Sequence, residues 1–171
     1  MISGNFKRLL AEHRIKGFAN RRKSSGINSS TGLVGMILDT ENLEEKFSLM
    51  DFHRSLDVSR YNFKLVICGE QVELPEGVEA EFLNRSDISF IGKFKTESIE
   101  NFANETFDCL ICNYNESSWT ASLLAAVTTA RIKIGVKPDV YNIFDVEINT
   151  GDIQIFRQEA LKYLKILKSN S

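Results

Sequence analysis

The sequence predicts an α/β protein in which about five or six strands alternate with helices and pair mostly in parallel. Three observations predict it. Short, largely apolar runs at residues 33–38, 63–68 and 107–112 are separated by longer segments with helical periodicity. Those runs are apolar at nearly successive positions, as in strands covered on both faces of a parallel sheet. A length of 171 residues, 43% of them hydrophobic and 26% charged, suits a domain that buries roughly 70% of its unfolded surface without disulfides or structural metal. Right-handed crossovers then make a three-layer, Rossmann-like sandwich the natural architecture.

Residues 5–23 read as a basic helix with Phe6, Leu9, Leu10 and His13 on a loosely apolar stripe, its second half weakened by Gly17. Serine and glycine dominate 24–32, which reads as a flexible connection. The chain therefore divides into a basic helical arm and linker, 1–30, and a single α/β domain, 31–171. In that domain a strand at 33–38 leads into a loop and helix cap, Asp39 to Asn42, and then a broad amphipathic helix ending near Val58. A second strand, 63–68, stops at Gly69, and a weaker third lies within 78–83 after a loop around Pro75. A short turn opens at Ser86 or Asp87, and a helix at 96–105 turns Ile99 and Phe102 inward. The fourth strand, 107–112, is followed by a polar loop and an apolar, alanine-rich helix at 119–129. Strands at 131–135 and 144–148 and a helix at 152–168 complete the pattern, with Lys162, Lys165 and Lys168 suiting the C-terminal dipole of that helix.

The formal net charge of −2 conceals an asymmetry. Residues 1–30 carry Lys7, Arg8, Arg14, Lys16, Arg21, Arg22 and Lys23 against Glu12, a net +6, and the remaining 141 residues carry 14 basic and 22 acidic groups, a net −8. A basic segment joined to an acidic body suggests an anionic partner for the segment.

Several chemistries are excluded or left without support. No apolar signal-like run follows Met1, and no apolar stretch is long enough to span a bilayer, so a cytoplasmic protein is expected. Cys109 and Cys112 form a C-x-x-C, but they sit on a strand, where residues three apart face opposite ways. They read as core cysteines, with neither a second C-x-x-C nor a neighbouring histidine to complete a metal site. His13 and His53 lack any partner motif for nucleophilic or metal chemistry. No cofactor and no metal are expected.

In an open α/β sheet, ligands bind outside the carboxyl ends of the strands. The residues there are Asp39 and Thr40 after the first strand, Arg85 after the third, Asn113, Asn115 and Ser117 after the fourth, and Lys137 after the fifth. Asp39, Thr40, Asn113, Asn115 and Lys137 form the candidate ligand pocket. The first strand–helix turn, Leu38 to Asn42, contains two acids and no glycine, so a phosphate would be repelled where a dinucleotide fold brings its pyrophosphate close. No P-loop is present. Asp39 with Glu41 could hold a divalent cation, but Asp39 or Thr40 as a helix cap is the simpler reading.

The segments Phe107-Asp-Cys-Leu-Ile-Cys-Asn113, Ser122-Leu-Leu-Ala-Ala126, Ala130-Arg-Ile-Lys-Ile-Gly135 and Phe144-Asp-Val-Glu-Ile148 resemble a small bacterial family known as a domain of unknown function. Its members share a short basic N-terminal helix, a first strand ending in Asp and a closing helix. The resemblance implies a Rossmann-like fold and brings no activity with it. The same stretch is distantly similar to the N-terminal lobe of heptosyltransferase-type glycosyltransferases, which raises group transfer as an alternative. Those enzymes hold the sugar nucleotide mainly in a second lobe, for which this chain has no room.

The function expected from these features is non-enzymatic binding. The basic segment would contact RNA or a ribonucleoprotein such as the ribosome, through Lys7, Arg8, Arg14, Lys16, Arg21, Arg22 and Lys23. The α/β body would meet a protein partner. One alternative is an enzyme or small-molecule binder using the strand ends. Another is peripheral membrane association through Phe6, Leu9, Leu10, Ile15 and Phe18 flanked by the cations. The bland alternative is a helix whose charges simply face water.

Overall fold

The computed structural model describes residues 2–22, 30–59 and 62–169. After helix α1 (Ile2–Arg22) come β1 (Val34–Asp39), a 3-10 turn (Leu43–Lys46), α2 (Phe47–Met50), α3 (Phe52–Ser55), β2 (Phe63–Cys68) and β3 (Glu81–Leu83). A second 3-10 turn (Arg85–Asp87), α4 (Glu97–Asn104), β4 (Thr106–Asn113), α5 (Trp119–Val127), β5 (Thr129–Val136), β6 (Val146–Ile148) and α6 (Ile153–Ser169) follow. The six strands form one sheet in the order β3-β2-β1-β4-β5-β6, and every pair is parallel. This is the doubly wound order of a Rossmann-like fold, with its reversal between β1 and β4.

The pleat divides the core. Ile37, Val66, Leu110 and Cys112 join one cluster with Ile99 and Phe102 of α4 and Leu123 and Leu124 of α5. Met36, Leu38, Ile67, Cys109 and Ile111 join the other with Phe52 of α3 and Phe156 and Leu164 of α6. Cys109 and Cys112 thus lie buried on opposite faces, the separation that strand geometry requires.

The expected broad helix over 43–58 is instead a 3-10 turn followed by two short α-helical turns. Leu43, Lys46, Leu49 and Phe52 are all buried, and they repeat every three residues. The 3-10 turn sets Leu43 and Lys46 three apart on one face, and the restarts at Phe47 and Phe52 turn Leu49 and Phe52 inward as well.

The basic N-terminal segment is a docked helix. Ala11, Ile15 and Ala19, spaced at i, i+4 and i+8, are buried, and Ala11 and Ile15 share a cluster with α5, along which α1 packs. The stripe expected to be apolar is largely solvent-facing, with Phe6 55% and Leu9 62% exposed. A helix that is apolar all round must be covered all round. Such a helix is α5, buried from Trp119 to Ala126, with α1 over it. The sheet also anchors α5 through Lys133 of β5, a fully buried lysine whose Nζ donates to the carbonyls of Ala125 (2.6 Å) and Ala126 (3.3 Å). Those two carbonyls belong to the last turn of the helix, where backbone acceptors lack intrahelical partners. Among the described residues no helix is long and apolar enough to cross a membrane.

Candidate functional site

Two regions concentrate the residues selected from the sequence. The first is the carboxyl edge of the sheet, where the reversal in strand order sets β1 beside β4, pairing Leu38 with Asn113. Asp39 ends β1 as a buried carboxylate. The buried Lys46 ammonium donates to its Oδ1, and the backbone N–H of Asn115 donates to its Oδ2 at 2.7 Å. The helix-cap position falls to Asn42, whose φ of 50° is left-handed and whose side chain makes no capping bond. Asp39 therefore does not cap the next helix; it ties the loop after β4 to the end of β1. Both of its oxygens are engaged inside the chain.

The candidate pocket residues are distributed over two shallow clefts. Asn113, Asn115 and Lys137 line one of about 260 Å³, together with Lys46 and Tyr114. Asp39, Thr40, Arg85 and Ser117 line another of about 410 Å³. The Asp39–Asn115 hydrogen bond links residues of the two clefts. Asn115 is itself occupied, its Oδ1 accepting from the Ser117 N–H at 2.9 Å and the Ser117 hydroxyl at 2.8 Å. A pyrophosphate approaching the β1 turn would meet a carboxylate and the Thr40 side chain, which packs so closely on Gly69 that a Cβ there would stand 2.5 Å from the Thr40 hydroxyl. At the fold's usual nucleotide crevice, Asp39 and Asn115 are thus engaged in the chain's own polar contacts, with the two clefts left on either side. Among the described residues, no group of three His, Cys, Asp or Glu side chains is placed to hold a metal ion.

The histidines are not set up for proton transfer. His13 is exposed on α1. His53 lies against the Phe63 ring, and its Nδ1 is buried without a hydrogen-bond partner among the described residues. No orienting group among them holds that ring in a working tautomer.

The second region is α1 and its flanks. The Lys7 Nζ donates to the Arg85 carbonyl at 2.7 Å, and the Arg14 guanidinium donates to the Gly92 carbonyl while lying over the Phe18 ring. Lys95 of the same loop donates to the Ser86 carbonyl at 2.8 Å, next to the acceptor used by Lys7. Burial and then the Lys95 charge lower the Lys7 pKa, with Asp87 opposing them. Burial likewise lowers that of Arg14. On the other flank Arg8 pairs with Glu12 at 2.9 Å, and burial and then the nearby Glu12 charge raise the Tyr141 pKa, with Arg8 opposing them.

Three of the seven predicted cations are thus engaged at the junction of helix and body: Lys7 and Arg14 bond to it directly, and Arg8 pairs with Glu12, whose charge acts on Tyr141. Lys16 and Arg21 are exposed; the side chain of Arg22 and the whole of Lys23 lie outside the described residues. Lys93 and Lys95 are the cations that sequence reasoning missed, since more than 70 residues separate them from α1. Their only local signal is the Lys-Phe-Lys alternation at 93–95.

Residues 7–167 match the model of a family of unknown function, DUF6913. The chain belongs to that family. The DUF6913 match begins within α1 and ends within α6, so it takes in the docked basic helix and the sheet together. No curated protein and no solved structure matches the chain.

Proposed function

We propose that this DUF6913 chain is a non-enzymatic RNA-binding protein whose contact surface is the outer face of α1 together with the loop between Arg85 and Lys95. The observation that carries the reading is the pair of bonds from Lys7 to the Arg85 carbonyl and from Arg14 to the Gly92 carbonyl. They seat Arg85, Lys93 and Lys95 beside the cations of the helix, so that two distant segments contribute to one basic surface. Two aromatic rings stand exposed on these same segments, Phe6 at 55% and Phe90 at 59%. Cations that track phosphates beside rings on which bases stack are the working parts of single-strand recognition. The acidic remainder of the body favours engagement through this face alone.

The enzyme alternative draws less support, because Asp39 and Asn115 are committed to each other and to Lys46 and Ser117. The membrane alternative loses two of its five inserting side chains, since Ile15 is buried and Phe18 packs on the core.

The test uses the full chain and a labelled single-stranded RNA of mixed sequence, with fluorescence anisotropy followed across a salt series. Binding should weaken with salt, and Lys16→Glu with Lys93→Glu should flatten the log–log slope by about 0.7 for each phosphate that is no longer neutralised. Lys162→Glu, an exposed change on α6 across the sheet, should leave it unaltered. RNA binding that is insensitive to salt and to both reversals would overturn the reading. So would flotation with vesicles containing anionic lipid in a protein that does not bind RNA.

A further inference from the structure

A cavity of about 570 Å³ opens at the amino ends of the strands, the edge opposite the two clefts described above. It lies within the size range of small-molecule sites, roughly 300–1,000 Å³. Its apolar lining comes from the starts of three strands, the turn after α3 and the last helix: Val34, Leu56, Val58, Cys109, Ile132 and Leu164. Of these Val34, Leu56, Cys109 and Leu164 are buried from solvent. A concave site with an apolar floor and a few polar groups at its rim has the make-up of a small-molecule pocket.

The polar groups at the rim define what that occupant carries. Asp108 already accepts from the Ser30 hydroxyl (2.7 Å), the Thr31 N–H (2.7 Å), the Gly32 N–H (2.9 Å) and the Thr31 hydroxyl (3.3 Å). Arg131 stands 4.0 Å from the same carboxylate, the outer limit of an ion pair, with its side chain 34% exposed. A guanidinium has five N–H donors in a planar fork suited to a carboxylate. The Asp108 lone pairs are taken by the 30–32 segment, so the Arg131 fork has capacity for a second oxyanion. Asp57 and Asp108 also border the cavity and repel anions, so a ligand there carries no more than the one negative charge that Arg131 can meet.

We propose that this cavity binds a small amphipathic monocarboxylate of the medium-chain alkyl type, its chain lying on Val34, Leu56, Ile132 and Leu164 and its carboxylate on Arg131. The site is independent of the RNA-binding face, since it draws on neither α1 nor the 85–95 loop.

Decanoate below its micelle concentration is the probe. Titrated into the full chain with its methyl groups observed by NMR, it should saturate and shift the resonances of Val34, Leu56, Ile132 and Leu164. Calorimetry should show Arg131→Gln weakening decanoate by about tenfold to a hundredfold while leaving decanol unchanged. Val58→Trp, which fills the mouth from a half-buried position, should abolish both. Thermal melts report whether each variant is folded. The proposal is overturned if decanoate fails to saturate, if the shifts fall elsewhere on the protein, or if folded Arg131→Gln binds decanoate as tightly as the parent chain. Should the variants fail to fold, the methyl shifts of the parent chain still decide.

Discussion

Replacing Ile15 by alanine tests whether α1 belongs to the core. Ile15 is fully buried between Ala11 and Ala19, in the cluster that includes α5. The substitution removes three buried carbons, about 2.5 kcal/mol at roughly 0.8 kcal/mol per CH₂, and the residual cavity brings the expected cost to about 3–4 kcal/mol. Leu9, larger than alanine by the same number of carbons but 62% exposed, should cost no more than about 0.5 kcal/mol when truncated in the same way. Urea unfolding followed by the fluorescence of Trp119, the single tryptophan, reads both changes at the first residue of α5. With a slope near 2 kcal/mol/M, Ile15→Ala should lower the midpoint by about 1.5–2 M and Leu9→Ala by less than about 0.3 M. Equal, small shifts would refute the reasoning, because they would mean that the helix stands off the body.

Lys46→Met should destabilise the protein by about 3–5 kcal/mol, because it leaves the buried Asp39 carboxylate with only the Asn115 N–H. Adding Asp39→Asn, which keeps an acceptor for that N–H and removes the stranded charge, should recover part of the loss; a double variant no more stable than Lys46→Met would contradict the pairing in a double-mutant cycle. Burial pushes the Asp108 pKa up, but hydrogen bonds from Thr31, Ser30 and Gly32 outweigh it and leave the folded value below normal. A lowered folded pKa gives stability that is present above the unfolded value, near 3.9, and is lost as pH falls through the folded value. Asp108→Asn should therefore be less stable than the parent chain at neutral pH, and urea midpoints measured from pH 7 down to acid should show the difference shrinking below about pH 4; a difference independent of pH would contradict the assignment.

The strand pattern was legible because apolar runs carry strong signals. All six strands lie where the sequence puts them, within a few residues. The docking of α1 was not legible by the same means. Its buried face is built from two alanines and one isoleucine, whereas Phe6 and Leu9 point outward. Hydrophobic strength misidentifies the face; spacing at i, i+4 and i+8 identifies it. Lys46 and Lys133 were equally hidden, since lysine is ordinarily a surface residue. Each is buried because the fold turns a partner seven or eight residues away toward it: the Asp39 carboxylate for Lys46, and the open Ala125 carbonyl of α5 for Lys133.

From the sequence alone come the α/β class, the parallel sheet, the opposed C-x-x-C cysteines and the unsuitability of the first turn for a pyrophosphate. Each of these is local: periodicity, pleat and the charge of a few adjacent residues decide it. Only the tertiary structure decides that the basic segment is a docked helix, that Asp39 is spent on Lys46 and Asn115, that Lys93 and Lys95 stand beside α1, and that a cavity opens beside Arg131. Those facts rest on groups brought together from distant parts of the chain, and one-dimensional pattern carries no record of which side chains the packing will make neighbours.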